Sequence, residues 1–134
     1  MFNHDSLGKL CIRLLAGGMM LFHGIAKLRH GISGIESMVQ GHGLPWFLAY
    51  GVFLGEILAP LLILLGYKAR LGALISVANL VVAIMLAHGN DLFKMGDHGE
   101  LQPELALLYL LASLGVLFLG SGSISLSKGS GQYD

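Results

Sequence analysis

Apolar positions in this chain fall into long blocks separated by short polar stretches. Four blocks have the length of a membrane-crossing helix: about Leu7 to Leu28, Leu44 to Gly66, Leu71 to His88 and Pro103 to Gly120. The first carries Arg13, His23 and Lys27, whereas the third is free of charge from Leu71 through Ala87. The last three are apolar all round, and a 134-residue globule cannot bury three such helices in water. The pattern predicts an all-α fold, an integral membrane four-helix bundle forming a single domain over residues 1–134.

The polar stretches have their own patterns. Between the first two spans, Ile32, Ile35, Met38 and Val39 recur at helical spacing among Ser33, Glu36 and Gln40. This predicts a short amphipathic helix lying in the membrane interface. Tyr67 to Arg70 reads as a tight turn, and Asn90 to Gln102 as a longer solvated loop. The tail, residues 121–134, is rich in Gly and Ser and is expected to be flexible.

Composition narrows the function classes. Hydrophobic residues make up 54% and charged residues 12%, with mean hydropathy +0.73. Soluble domains average about 25% charged residues. The formal net charge is zero, so no basic footprint points to nucleic acid. A single cysteine, Cys11, excludes an internal disulfide, a redox pair and a cysteine-rich metal site. The polar start, MFNHDSLGK, lacks a signal-peptide pattern, so the first span is expected to be retained.

Lys and Arg placement suggests an orientation. Lys9, Arg13, Lys68, Arg70 and Lys128 fall on one side, against Lys27, Arg29 and Lys94 on the other. That bias places both termini in the cytoplasm.

Glu56 is the outstanding residue. It is the sole charge between Leu44 and Tyr67 and lies roughly 18 Å along the second span, about the bilayer midplane. An ionised carboxylate there costs on the order of 3 kcal/mol or more, so it needs a proton, a cation or a function. Small residues mark the inward faces: Gly51, Gly55 and Ala59 on the second span, and Gly72, Ser76, Asn79 and Ala83 on the third. On the first span, Arg13, Gly17, Met20, Gly24 and Lys27 fall within roughly 80° of one another. Arg13 is the expected partner of Glu56. The pair would lock the two helices together, and, compatibly with that, Glu56 would line a polar cavity as a proton carrier or ligand contact.

Four antiparallel spans also bring His23, Lys27, His88 and Glu104 to one depth near the outer surface. Such a cluster suits proton exchange at a quinone head group, metal ligation by His23 and His88, or a haem held between those two histidines. Solvation of histidines at a helix end is the simpler alternative. The loop acids Asp91, Asp97 and Glu100 with His98 match no metal-binding spacing, and no hydrolase, phosphate-loop or zinc-protease motif is present.

Together these residues resemble the DoxX family of small four-span membrane proteins. The resemblance runs from about Leu7 to Leu126. It rests on Arg13, the run Phe22-His23-Gly24-Ile25-Ala26-Lys27-Leu28, Gly43-Leu44-Pro45, Gly55-Glu56, and Gly66 with Arg70. Gly120-Ser121-Gly122 and Ser125-Leu126 complete it, and Ser127 stands where the family usually has an acid. The resemblance implies a bundle linked to quinone-coupled, thiosulfate:quinone-type redox chemistry, with Arg13, Lys27 and Glu56 as characteristic polar residues.

The expected protein is thus a multi-pass component of the bacterial inner membrane, in contact with lipid and with a partner subunit or a second copy. It would bind a quinone or other small ligand through Arg13, His23, Lys27, Glu56, His88 and Glu104. Glu56 and His23 are the candidates for proton transfer, and the protein is at most an oxidoreductase subunit, because no redox-active motif is its own. A structural partner without chemistry and a haem or metal protein using His23 and His88 are the alternatives.

Overall fold

The computed structural model describes residues 3–134, and among them every regular element is a helix. Helix α1 spans His4–His30, α2 Ser33–Gly41, α3 Trp46–Leu65, α4 Ala69–His88 and α5 Glu104–Leu119. Helices α1, α3 and α4 are long and apolar enough to cross a membrane. With 16 residues, α5 rises about 24 Å and packs along α4 as the fourth member of the bundle. Large apolar side chains face outward, among them Phe22, Met85, Leu111 and Phe118. In water this surface would be an aggregation hazard, whereas in a membrane it is the lipid-facing coat.

The helix ends follow from local chemistry. Asn3 caps α1 by accepting from the Asp5 N–H, and Gly31, at φ 80°, ends it. Pro45 is extended and sets the start of α3. Gly66, at φ 67°, closes α3 in a left-handed turn in which the Tyr67 N–H bonds the Leu62 carbonyl. The short turn then makes α4 run antiparallel to α3. One end of the bundle carries α2 and the loop after α4, and is called the loop end. The other carries the chain after α5, and is called the tail end.

Two long helices are locally underwound into wide π-helical turns, α1 at Leu14–Met19 and α3 at Leu54–Leu58. In the second, the Ala59 N–H bonds the Leu54 carbonyl. Pro60 has no N–H, so the Glu56 carbonyl lacks its usual helical donor. That carbonyl lies against Gly24 of α1, where a Cβ would overlap it. At Gly17 a Cβ would stand 2.8 Å from both the Pro60 carbonyl oxygen and the Leu64 nitrogen. The backbones of α1 and α3 therefore touch at two glycines. Gly24→Ala is expected to destabilise the protein by ~1–3 kcal/mol. A lowered unfolding midpoint in detergent checks this, with Gly8→Ala as a neutral control because nothing lies within 4 Å of its new methyl.

The inward stripe expected on α1 is inward. Arg13, Gly17, Met20 and Gly24 are buried and Lys27 is half-buried. Between α3 and α4, Gly55 meets Asn79, and Gly72 approaches the Ala59 carbonyl. Ser113 of α5 donates to Ser76 of α4 at 3.2 Å. Gly51 departs from the expectation: no atom lies within 4 Å of a Cβ there, and it borders a cavity instead of a helix.

The amphipathic segment forms α2 as predicted. Its Ile32 and Val39 pack on Ala49 and Val52, so it folds over the start of α3. The tail, expected to be flexible, follows a fixed course. Leu126 N–H bonds the Leu65 carbonyl, Ser127 N–H the Gly66 carbonyl, and Arg70 N–H the Tyr133 carbonyl. Glycine and serine make this possible: Gly120, Gly122 and Gly129 adopt positive φ, and serine hydroxyls bond nearby backbone.

Candidate functional site

The partner of Glu56 is Lys27. Its Nζ lies 2.5 Å from Glu56 Oε1, and the Glu56 side chain is almost wholly buried whereas that of Lys27 is 30% exposed. The contact at Gly24 sets this pair. With Gly24 against the Glu56 backbone, Lys27 stands one turn nearer the loop end on the same face of α1 and reaches back to the carboxylate.

Arg13 does not touch Glu56, which corrects the expected pairing. It lies level with the last turn of α3, at the tail end. Nε donates to the Ile63 carbonyl at 2.8 Å and Nη2 to the Leu64 carbonyl at 2.6 Å. Nη1 donates to the Ser121 and Ile124 carbonyls at 3.1 and 2.6 Å. The guanidinium is thus buried with carbonyl dipoles for company, two of them at a helix C-terminus where the macrodipole favours a cation. Its nitrogens are all engaged, so it has a role in holding α1, α3 and the tail together.

Two cavities meet at the Lys27–Glu56 pair. The larger, about 670 Å³, is a half-open cleft lined by α2, α3 and α4, with Lys27 of α1 at its edge. Its walls are mostly aliphatic, with Lys27, Glu56 and Asn79 as the polar residues. The smaller, about 260 Å³, opens toward the loop end and is lined by His23, His88, Gln102 and Tyr109 together with Lys27 and Glu56. His23 meets Tyr109 edge-to-face at 5.4 Å between ring centres.

Of the residues expected to gather at one depth, His23, Lys27 and His88 share this small cavity. Glu104 does not line it; as the first residue of α5 it is exposed. Among the described residues no three His, Cys, Asp or Glu side chains stand close enough to hold a metal ion. In the outer loop, Asp91 pairs with Lys94 at 3.0 Å, and Glu100 accepts from the His98 N–H, so these two acids help shape the loop.

Two buried polar atoms of residues that line the larger cavity lack partners. Glu56 Oε2 and Asn79 Nδ2 are buried without a hydrogen bond. In the sequence Asn79 belongs to the small-residue stripe of the third span. The signal that marks it is an amide in a stretch, Leu71 to Ala87, that is otherwise apolar but for Ser76. The sequence signal for Tyr109 is weaker: it is the one tyrosine in the last span.

The DoxX family model matches residues 8–89, which contain α2, α3, Arg13 and the Lys27–Glu56 pair. The chain belongs to the DoxX family. This DoxX protein is 33% identical over 124 residues to an "Uncharacterized protein" of Haemophilus influenzae, covering 87% of this chain and 86% of the relative. It is 28% identical over 120 residues to a Bacillus subtilis protein named "Putative oxidoreductase CatD", covering 90% of this chain and 84% of the relative. No solved structure matches it. The tail that completes the Arg13 site lies beyond the family match.

Proposed function

We propose that this DoxX protein holds a quinone or similar small amphiphile in the larger cavity and serves as the membrane subunit of a redox system. Its place would be the bacterial inner membrane, with the tail end in the cytoplasm. One observation carries the reading: Glu56 Oε2 is a carboxylate oxygen deep in a membrane bundle, beside a cavity of ligand size, with no hydrogen-bond partner. A pair that only locks helices needs a single oxygen, and Oε1 serves Lys27. Intramembrane ionisable groups of this kind mark ligand or proton pathways. The oxidoreductase name of the Bacillus subtilis relative supports the redox assignment. Without a cysteine pair, electrons would reach the ligand from a partner subunit or a further cofactor.

A packing role for the pair is the competing reading, favoured by its place at the tightest α1–α3 contact. Solvent extraction of the purified protein, followed by mass spectrometry, separates the two. The proposal expects a quinone near one per chain, depleted at least tenfold in Glu56→Gln. A wild-type preparation that contains none and takes up none when a short-chain quinone is added would sink it. A Glu56→Gln protein that merely melts earlier, with ligand content unchanged, would favour packing.

A further inference from the structure

Resting on that ligand reading, we propose that the larger cavity selects a hydroxyl-bearing head group, so that a hydroquinone binds in preference to the corresponding quinone. The argument lies in the two unpartnered atoms. In its ion pair with Lys27, Glu56 presents Oε2 as an acceptor only, while Asn79 Nδ2 is a donor only. They belong to neighbouring turns of facing helices. A Cβ on Gly55, the residue before Glu56, would overlap the Asn79 amide. Beyond them the wall is aliphatic, with Val39, Leu48, Val52, Val82 and Leu86 offering a surface for rings and chains.

A phenolic hydroxyl complements both groups at once. Its O–H donates to Glu56 Oε2 and its oxygen accepts from Asn79 Nδ2. A quinone carbonyl only accepts. It can satisfy Asn79, but it sets one acceptor against another at Glu56 and leaves the carboxylate oxygen unpaired. Sites that hydrogen-bond a hydroxyl discriminate strongly against analogues lacking one, because their own buried group is stranded. The selectivity therefore resides in Glu56. Asn79 donates to either redox form and contributes affinity without preference.

The test uses the full chain in lipid nanodiscs, with equilibrium dialysis of decyl-benzohydroquinone and decyl-benzoquinone under anaerobic conditions. Wild-type protein is expected to bind the hydroquinone roughly tenfold or more tightly. Glu56→Gln should bring the ratio toward one by weakening the hydroquinone about tenfold, since a neutral amide accepts a hydroxyl hydrogen bond less strongly than a carboxylate. Asn79→Leu should weaken both forms by similar factors and keep the ratio. Equal affinities in the wild type, or tighter quinone binding, overturn the proposal, as does a folded Glu56→Gln protein with the wild-type ratio. If neither form binds the wild type, the ligand reading itself fails. Should Glu56→Gln not fold, the wild-type ratio and Asn79→Leu decide the matter.

Discussion

Replacing Arg13 with methionine is expected to destabilise the bundle by about 4 kcal/mol or more and to release the tail. Hydrogen bonds to charged groups contribute about 1.5–3 kcal/mol each, and Arg13 makes four, to Ile63, Leu64, Ser121 and Ile124. These acceptors lie on two separate segments, so their carbonyls lose both a donor and the cation that joins them. Arg13→Lys is expected to recover little, because a compact ammonium lacks the planar fork that reaches α3 and the tail together. Unfolding in mixed detergent, followed by circular dichroism, gives the stability. Limited proteolysis beyond Gly120 reports the tail. A lysine variant within about 1 kcal/mol of wild type, with a protected tail, contradicts this account.

The second large effect concerns Lys27 and Glu56. Lys27→Met leaves a carboxylate buried without its cation, and Glu56→Leu strands the ammonium. Breaking such a pair from one side costs about 3–5 kcal/mol when fully buried, and water reaching Lys27 reduces that. Each single variant is therefore expected to lose about 2–3 kcal/mol. The double variant should lose less than the sum by about 2 kcal/mol, because removing both charges removes the mismatch. Restored stability should not restore ligand binding, since the double variant has no acceptor at position 56. Strict additivity of the two losses is the result that counts against a coupled pair.

Much of this architecture was legible in the sequence. Spans follow from length and hydropathy, and the amphipathic helix from the spacing of Ile32, Ile35 and Val39. The inward face of α1 follows from the spacing of Arg13, Gly17 and Gly24. What a single sequence does not carry is the slide of one helix along another. Arg13 and Lys27 both point inward, and the axial offset of α3 decides which meets Glu56. That offset is set where Gly17 and Gly24 accept the backbone of Pro60 and Glu56. The same limit hid the course of the tail. Composition suggested motion, but the donor that holds the Ser121 and Ile124 carbonyls comes from a residue more than 100 positions earlier. For the candidate site, His23, Lys27 and His88 were found from depth, whereas Glu104 shared their depth but not their facing direction. Asn79 was recognised as inward, and its missing partner became visible only with its neighbours in place.

The Arg13 socket also orders events during synthesis. The first span leaves the ribosome with its cation, while two of the carbonyls that will surround it lie at Ser121 and Ile124. Chains grow from the N-terminus at about 5–20 residues per second, so several seconds pass before those carbonyls exist. Through that interval α1 carries an incompletely satisfied arginine, and lipid headgroups or water must solvate it. Closure of the bundle at this end is therefore a late step, completed after α5 has been made. Substitutions in the tail would then affect the yield of assembled protein in cells more than the activity of molecules already assembled.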